Sequence, residues 1–261
     1  MVGVKVTLNK PLLLLYDADM LIYQACSSCE TPINWGNDLW TLHVYLNEAI
    51  AKVDDMVAQY SDIVLNHLGY EGDFENIMCL TDPTDNFRKK VLSSYKLNRV
   101  SKRKPLSYPK VAEWCMSNYK SYKKPSLEAD DCLGILSTKN PGHSIIISAD
   151  KDFKTVPGMF YNFMQDEFMN ITEQEADYWH LYQTLVGDVT DNYKGCPKVG
   201  AVTAKKLLDK ECSWDTVVGA YEKQGLTESD ALVQARVARI LRATDYDFKS
   251  HKPILWRPKH D

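Results

Sequence analysis

Acidic residues recur along this chain at points where predicted strands and helices end. The clusters are Asp17-Ala18-Asp19, Asp82-Pro83, Glu128-Ala129-Asp130-Asp131, Asp150-Lys151-Asp152, and the pair Asp188 and Asp191. Three of them directly follow apolar runs that are typical of buried strands, at residues 12–16, 77–80 and 145–147. Because the carboxyl ends of parallel strands meet at one edge of a sheet, where open α/β folds place their active sites, we expect these carboxylates to converge.

A converging set of carboxylates needs a compensating cation, since so many like charges cannot ionise together. Hard oxygen ligands of this kind suit Mg²⁺ or Mn²⁺. A calcium site of the EF-hand type is excluded, because the acids are dispersed rather than packed into one short loop. The acidic clusters therefore predict metal-assisted phosphate chemistry.

Length and composition limit the classes of protein to consider. The 261 residues suffice for one large domain, or for a medium domain with a small one. No apolar run approaches the ~18 residues of a membrane span, and the apolar stretch near the N-terminus is too short for a signal peptide. Seven cysteines without framework spacing predict reduced thiols, and Cys26-x-x-Cys29 lacks the further ligands of a zinc site. We therefore expect a cytoplasmic protein that does not associate with membranes.

A strongly basic segment contrasts with the net charge of −4. Between Arg88 and Lys110 there are nine Lys or Arg residues and no Asp or Glu. Tyr95, Tyr108, Tyr119 and Tyr122 lie among these charges or just beyond them. Most charge runs are solvated loops, but cations interleaved with aromatic rings are also typical of nucleic-acid binding. Beside a strongly acidic site, the second interpretation is favoured.

The periodicity of apolar residues predicts an α/β arrangement. Residues 39–65 are predicted to form a helix, 76–81, 143–148 and 159–163 to form strands, and Ser126 to cap a helix that runs through Thr138. Asp150 and Asp152 have the spacing of one strand face. Beyond residue 170 the pattern becomes helical, with helices at about 173–187, 200–210, 213–224 and 227–243. We therefore predict an α/β domain at 1–170 and a helical domain at 171–261.

A glycine-rich segment from Gly187 to Gly200 connects two of these predicted helices. Such a hairpin exposes backbone N–H groups at the start of the second helix, which is a favourable seat for a phosphate. An ordinary glycine-capped turn would explain Gly195 or Gly200 alone. It would not explain why Asp188 and Asp191 precede the turn at a spacing of three.

Five motifs, taken together, resemble the 5′-nuclease (flap endonuclease) superfamily. They are Asp17 after an apolar strand, Phe87-Arg88 with Tyr95-Lys96-Leu97-Asn98-Arg99, Glu128-Ala129-Asp130-Asp131, Ser148-Ala149-Asp150-Lys151-Asp152-Phe153, and the segment from Gly187 to Gly200 with Thr203-Ala204. Their order and spacing match over roughly residues 12–210. The segment 176–184 and the tail through Trp256-Arg257-Pro258 are similar to podovirus-type phage 5′–3′ exonucleases. The family often has glycine where Ala18 stands, and Asp19 is either an outer-shell ligand or a helix cap.

The resemblance implies a fold, an activity and a set of metal ligands. The fold is a central, mostly parallel sheet flanked by helices, with a helical arch at 84–125 and a C-terminal helix-hairpin-helix. The activity is divalent-metal-dependent 5′→3′ exonucleolytic hydrolysis of duplex DNA, with flap cleavage and RNA-primer removal, in phage replication and recombination. Asp17, Asp82, Glu128 and Asp130 would bind a first Mg²⁺, and Asp150, Asp152 and Asp188 a second, supported by Asp191 and Asp131. Mn²⁺ would substitute for Mg²⁺.

The resemblance also implies how the substrate is held. Lys96 and Arg99 match the basic pair that contacts the scissile phosphate. The residues expected to contact DNA are Arg88, Lys89, Tyr95, Lys102, Arg103, Lys104, Gly195, Lys198, Gly200 and Thr203. The helix-hairpin-helix would grip duplex backbone and bind one K⁺. The expected partners are DNA with a 5′ end or flap, RNA–DNA hybrids and replication proteins. The chain would act as a monomer in the cytoplasm of the infected host cell.

Two alternatives belong to other classes. A PIN-type ribonuclease shares the acidic sheet but normally lacks the basic arch and the helix-hairpin-helix. A non-catalytic DNA-binding protein would have no reason to keep so many converging carboxylates, which repel DNA when no metal is bound. The segment from Gly195 to Gly200 argues against the first, and the acidic clusters argue against the second.

Overall fold

The computed structural model describes residues 10–258. Its strands are β1 (Leu12–Asp17), β2 (Thr31–Asn34), β3 (Trp40–His43), β4 (Phe74–Cys79), β5 (Lys120–Tyr122), β6 (Ser144–Ser148), β7 (Gly158–Asn162), β8 (Glu167–Ile171), β9 (Tyr246–Asp247) and β10 (Lys252–Pro253). Its α-helices are α1 (Ala18–Ser28), α2 (Leu46–Leu68), α3 (Phe87–Val91), α4 (Tyr108–Asn118), α5 (Ala129–Lys139), α6 (Glu173–Val186), α7 (Ala201–Lys210), α8 (Trp214–Glu222) and α9 (Glu228–Ala238). Short 3₁₀ helices lie at Leu97–Arg99, Lys151–Thr155 and Ala243–Asp245.

A central sheet of six strands has the order β5-β4-β1-β6-β7-β8. Strands β5, β4, β1, β6 and β7 are parallel to their neighbours, and β8 pairs antiparallel with β7 at one edge. The chain runs from β1 outward to β4 and β5 on one side, and afterwards to β6 and β7 on the other. The predicted mostly parallel sheet flanked by helices is confirmed.

The sheet separates two apolar cores, because successive side chains of a strand point to opposite faces. Leu12, Leu14 and Tyr16 of β1 pack with α1, α2 and α4. Leu15 points to the other face, where it joins a cluster that contains Phe160 and residues of α5. Residues 240–246, from the C-terminal part of the chain, also pack into this second cluster.

A third apolar cluster joins α6, α7, α8 and α9. Leu185, Leu208, Val217 and Tyr221 are buried there. The predicted domain boundary near residue 170 stays a prediction, and the outermost residues of the two predicted domains, 1–9 and 259–261, lie outside the described residues. None of the described helices combines the length and the apolarity that crossing a membrane requires.

The predicted helix at 39–65 begins later than expected. Residues 40–43 form β3, which pairs antiparallel with β2, so that Trp40 lies opposite Asn34. The apolar side chains of this hairpin have a helix-compatible spacing in the sequence, but Leu39 and Trp40 are exposed rather than packed against a core. The helix therefore begins at Leu46, and its C-terminus is capped by Gly69 in the left-handed conformation.

Other predicted boundaries near the acidic clusters also need correction. Helix α5 is capped by Glu128 rather than Ser126. Ser126 has a φ of 64°, so its backbone belongs to the turn that precedes the helix. Asp150 and Asp152 do not share a strand face, since Asp150 caps the 3₁₀ helix that contains Asp152. The last predicted helix, at 227–243, ends at Ala238.

The predicted arch, residues 84–125, contains α3, a 3₁₀ helix, α4 and β5. Helix α4 is firmly packed, since Val111 and Cys115 are buried in the cluster that contains α1. The segment before it is much more exposed, and Val100 has 75% of its surface in solvent. Enclosure of a nucleic-acid strand by this segment stays a prediction.

Candidate active site

A cleft of about 390 Å³ opens at the edge of the sheet where β1, β4 and β6 end. The strand connections diverge on either side of β1, and α/β folds bind ligands at such a position. Seven carboxylates line the cleft, those of Asp17, Asp19, Glu128, Asp130, Asp150, Asp152 and Asp191. Glu128 and Asp130 both reach it because the N-terminus of α5 points into the cleft, as their spacing requires.

One half of the cleft carries carboxylates without a cationic partner, and we call Asp17, Asp130 and Asp150 the unpaired half. No Lys or Arg of residues 10–258 forms a salt bridge with any of the three. Burial, with the negative charges of Asp19 and Asp150, raises the pKa of Asp17 to about 7 although Ser148 donates a hydrogen bond to it at 2.7 Å. Burial and the charge of Asp17 likewise raise the pKa of Asp130 well above its usual range.

Asp150 and Asp152 extend the cleft beyond the end of β6. The backbone N–H of Asp152 donates to Asp150 Oδ1 at 2.8 Å, and the N–H of Asp150 donates to Ser148 Oγ at 3.1 Å. Lys151 Nζ lies 2.8 Å from Asp152 Oδ1 and 3.5 Å from Asp188 Oδ2. Burial and the charge of Asp150 nevertheless raise the pKa of Asp152 to about 6.

The opposite half of the cleft is paired, and we call Glu128, Asp191, Lys96 and Arg99 the paired half. Lys96 Nζ lies 2.5 Å from Glu128 Oε1 and 3.4 Å from Asp191 Oδ2, and Arg99 Nη2 lies 2.5 Å from Asp191 Oδ1. The Tyr95 hydroxyl lies between the two carboxylates, 2.8 Å from Glu128 Oε2 and 2.9 Å from Asp191 Oδ2, and shares its one donor proton between them. Burial alone would raise the pKa of Glu128, but the charges of Lys96 and Arg88 outweigh it and lower the pKa to about 2.

A buried ion pair supports the paired half from behind. The Arg88 guanidinium donates to both carboxylate oxygens of Asp131, at 2.6 and 2.8 Å, and to Glu128 Oε2 at 3.1 Å. It also donates to the backbone carbonyls of Val237 and Arg239. Arg88 therefore ties α3 to α5 and to the end of α9, and its side chain is only 3% exposed.

The loop between α6 and α7 is held against the basic segment. Gly187 and Gly195 have φ values of 73° and 63°, and a Cβ on either would stand about 2.4 Å from the backbone of the facing strand of the loop. Asn98 Nδ2 donates to the carbonyls of Val189 and Thr190, and the Lys96 N–H donates to the carbonyl of Asp191. The two glycines thus allow a close backbone approach that places Asp191 beside Lys96.

Comparison with known proteins identifies the family. A family model described as the N-terminal resolvase-like domain of 5′-3′ exonucleases matches residues 13–178, which is more than half of the chain. The chain belongs to the 5′–3′ exonuclease family. It is similar to an exonuclease of Escherichia phage T7, with 30% identity over 288 aligned positions that cover 94% of this chain and 93% of the relative. It is also 29% identical to an exodeoxyribonuclease of Enterobacteria phage T3, over 95% of this chain and 93% of that one.

Solved structures of related fold agree with this assignment. A flap endonuclease of bacteriophage T5, determined with DNA and metal ions, superposes with a TM-score of 0.64 at 14% identity and covers 89% of each chain. A T5 5′-exonuclease with bound zinc has a TM-score of 0.60 at 14% identity and covers 88% of this chain and 93% of its own. At this level of identity the likeness shows the fold. The family and the fold together make this chain a nuclease.

Most of the predicted metal ligands of this 5′–3′ exonuclease come together, but three lie outside the cleft. Asp82 Oδ1 accepts from the N–H and hydroxyl of Thr84, and its Oδ2 accepts from the N–H of Ser126, so it holds the turn after β4. Asp188 Oδ1 accepts from the N–H groups of Thr190 and Asp191. Asp131 is fully buried against Arg88, which explains its motif position without any metal.

The residues predicted to contact DNA also fall into two groups, one buried and one exposed. Arg88 and Tyr95 are each 2% exposed, so they cannot present a surface to DNA and instead brace the carboxylates. Arg103 is exposed but its guanidinium pairs with Glu30 at 2.7 Å. The exposed positions are Lys89, Lys102, Lys104, Lys198, Gly200 and Thr203, whereas Gly195 is buried in the loop. Exposure, which charge patterns do not reveal, separates the two groups.

The chemistry of the cleft fits a divalent cation with oxygen ligands. Within residues 10–258 no three Asp, Glu, His or Cys side chains already stand at metal-ligand spacing. Burial and neighbouring carboxylates raise the pKa of Asp17 and Asp130, and no salt bridge within residues 10–258 compensates either group. The pKa of Asp152 is raised for the same reason, although Lys151 contacts this carboxylate. A divalent cation would remove that penalty, and carboxylate oxygens are the ligands that Mg²⁺ and Mn²⁺ prefer.

Proposed function

We propose that this nuclease is a divalent-metal-dependent 5′→3′ exonuclease that hydrolyses phosphodiester bonds of duplex DNA from 5′ ends. Flap cleavage and removal of RNA primers from RNA–DNA hybrids belong to the same proposal, in phage DNA replication and recombination. One observation carries it. The unpaired carboxylates and the cations Lys96 and Arg99 face each other across a single cleft at the edge of the sheet. Such a cleft combines ligands for metal with positive charge for phosphate.

Two Mg²⁺ ions, or Mn²⁺ in their place, would be held by the cleft carboxylates. Asp17, Asp130, Asp150 and Asp152 are the main candidates, with Glu128 and Asp191 beside them. When bound, such ions lower the pKa of a water and neutralise negative charge on the phosphate. The zinc-bound T5 5′-exonuclease and the T5 flap endonuclease solved with metal ions support this part of the proposal.

The cations of the paired half would act on the reacting phosphate. Lys96 has 16% of its side chain exposed and Arg99 41%, so both can reach a ligand in the cleft while Glu128 and Asp191 hold them in place. Cations fixed before the substrate arrives stabilise charge that develops in the transition state without a cost of reorganisation. Tyr95 keeps both carboxylates oriented toward these cations.

The exposed cations define where the remainder of the DNA would lie. Lys89, Lys102 and Lys104 project from the basic segment and would hold a single strand through its phosphates. The N-terminus of α7, with Lys198, Gly200 and Thr203 exposed around it, would hold the backbone of the adjoining duplex, with one K⁺ bound by the loop. The chain would act as a monomer, with replication proteins as partners.

The polarity of degradation tests this function. Linear duplexes with a label at the 5′ or the 3′ end, a 5′ flap, an RNA–DNA hybrid and a covalently closed circular duplex are incubated in parallel with Mg²⁺ or with EDTA. We expect Mg²⁺-dependent release of short products from 5′-labelled ends, cleavage of the flap and the hybrid, and no cleavage of the closed circle. The matched control is Asp150→Asn, which keeps the side-chain volume and should cleave at least about 10²-fold more slowly.

Two results would contradict two different parts of the proposal, the polarity of degradation and the dependence on metal. Degradation from the 3′ end, or efficient cutting of the closed circle, would remove the 5′-end polarity and leave the metal-dependent chemistry standing. Full activity in EDTA would remove the metal itself.

A further inference from the structure

Asp19 is the cleft carboxylate whose role the motifs leave open, and both of its oxygens accept hydrogen bonds. The Tyr108 hydroxyl donates to Asp19 Oδ1 at 2.9 Å. The backbone N–H of Thr81, directly after β4, donates to Asp19 Oδ2 at 3.3 Å. A helix-capping role does not account for these bonds, because the side chain that caps α1 is that of Asp17.

Tyr108 is the point at which the basic segment meets the packed core. It is the first residue of α4, it is 8% exposed, and Lys104 Nζ lies 4.1 Å from the centre of its ring. Burial and the charge of Asp19 raise the pKa of the Tyr108 phenol, so the hydroxyl remains a hydrogen-bond donor. The basic segment, which is proposed to hold nucleic acid, thus contacts the Asp19 carboxylate of the cleft through Tyr108.

We propose that Tyr108 is a positioning residue and that Asp19 is its target in the metal-binding cleft. Tyr108 fixes the Asp19 carboxylate beside Asp17, so that Asp19 adds negative charge at the place where a divalent cation binds. The pair also makes the strength of cation binding depend on the placement of the basic segment. This inference rests on the proposed metal-dependent function, and it adds Tyr108 and decides the role that the motifs left open for Asp19.

The same helix supplies a matched control. At the other end of α4, the Tyr119 hydroxyl donates to Asp54 Oδ1 at 2.5 Å. Asp54 lies on α2 and does not line the cleft. Tyr108–Asp19 and Tyr119–Asp54 are therefore two tyrosine–carboxylate pairs on one helix, and only the first faces the cleft.

The experiment measures cation binding separately from activity. Mn²⁺ and Ca²⁺ are titrated calorimetrically into DNA-free protein, for Asp19→Asn, Tyr108→Phe, the double variant, and the controls Asp54→Asn and Tyr119→Phe. Because partners that orient metal ligands typically contribute about tenfold or more to affinity, we expect Asp19→Asn to raise the dissociation constant about tenfold and Tyr108→Phe by somewhat less. The effects should not add in the double variant, since Tyr108 acts through Asp19. The controls should bind as wild type does.

Turnover supplies a second readout. In Tyr108→Phe, the Mg²⁺ concentration for half-maximal rate should rise, while kcat at saturating Mg²⁺ recovers toward the wild-type value. Asp19→Glu should restore part of the cation affinity that Asp19→Asn loses. Thermal unfolding without metal checks for a merely structural role, which would lower stability in both tyrosine variants and leave cation affinity unchanged.

Two outcomes would overturn the inference. In the first, wild type binds Mn²⁺ and the Asp19 and Tyr108 variants bind it equally well. In the second, the two single effects add fully in the double variant, which would make Tyr108 independent of Asp19. If wild type bound no divalent cation and needed none for cleavage, the proposed function would fall instead, so the two failures are distinguishable.

Discussion

The paired and unpaired halves of the cleft differ in charge compensation, because salt bridges reach only the carboxylates of the paired half within residues 10–258. Glu128 and Asp130 stand two residues apart at the N-terminus of one helix, where Glu128 is buried and Asp130 is half-buried. Lys96 and Arg88 lower the pKa of Glu128 to about 2, whereas burial and Asp17 raise that of Asp130 well above its usual range. A buried carboxylate is thus stabilising or destabilising according to its partner. The divalent cation proposed above would supply the compensation that the unpaired half lacks.

Removing one partner of the Arg88–Asp131 ion pair, which supports the paired half, should have the largest effect. Asp131→Asn leaves the buried Arg88 guanidinium without its bidentate partner, and breaking a buried pair in this way costs about 3–5 kcal/mol. Urea unfolding in EDTA measures this loss. The matched variant Asp130→Asn removes an uncompensated charge at the adjacent position and should leave the metal-free protein equally stable or more stable. Equal destabilisation by both variants would show that the two halves do not differ.

Substitutions in the unpaired half should lower the cleavage rate rather than the stability of the fold. Asp150→Asn keeps the volume but loses the negative charge that holds a cation, and we expect the cleavage rate to fall by about 10²–10³-fold, the scale of a lost charge-stabilising group. Asp152→Asn, at the neighbouring carboxylate that Lys151 contacts, should behave similarly. Filter binding in Ca²⁺ should show duplex affinity close to wild type. Near-normal turnover in Mg²⁺ by either variant would remove that aspartate from the metal site.

The convergence of these carboxylates could be predicted from sequence because it depends on topology. Asp17 and Asp150 follow apolar strands, and the residues that follow parallel strands lie at the same edge of the sheet. The roles of Arg88, Asp131 and Tyr95 could not be predicted in this way, since charge and motif position do not show which side chains become buried. The β2–β3 hairpin was missed for a related reason. Its apolar residues have helical spacing, but pairing with the preceding strand, rather than a core, determines their conformation.

A substitution of Lys96 tests whether a cation of the paired half also stabilises the reacting phosphate. Lys96→Ala should reduce kcat by about 10²-fold with a much smaller change in KM, because a cation fixed beside the reacting phosphate acts mainly in the transition state. Lys96 has a φ of 54°, so Lys96→Gly serves as a control that removes the charge without backbone strain. Steady-state kinetics on a 5′-labelled duplex separate the two parameters. A change in KM alone would reassign Lys96 to simple attraction of the strand.

Gly200→Val tests the proposed contact between the N-terminus of α7 and the duplex backbone. Gly200 caps α7 with a φ of −90°, and a Cβ there would meet no atom within 4 Å, so the fold should tolerate valine. The side chain would occupy the space in front of the helix N-terminus, where phosphate is proposed to bind. We therefore expect weaker duplex binding, measured as a higher Kd at low salt, with kcat at saturating substrate changed less. An unchanged Kd would separate this helix from duplex binding.

The smallest predicted effect tests the rule of charge compensation at a site remote from the cleft. His180 is buried on α6, its Nε2 lies 2.9 Å from the carbonyl of Ala235, and burial together with the charges of Arg239 and Arg242 lowers its pKa to about 3. Cations favour the ionised form of Glu128, but they disfavour the ionised form of a histidine. Because the unfolded chain takes up this proton near pH 6.5 and the folded chain does not, stability should be unaffected above that pH and should fall as the pH drops toward 3.

The expected slope is at most about 1.4 kcal/mol per pH unit, so roughly 1 kcal/mol separates pH 7.5 from pH 5.5. Urea unfolding in EDTA at these two pH values measures it for wild type, for His180→Gln, which cannot titrate, and for the exposed control His67→Gln. The pH-dependent loss should be smaller in His180→Gln by this amount and unchanged in His67→Gln. If His180→Gln lost as much stability as wild type, other groups would account for the acid sensitivity. The cations around His180 would then not control its protonation as Lys96 and Arg88 control that of Glu128.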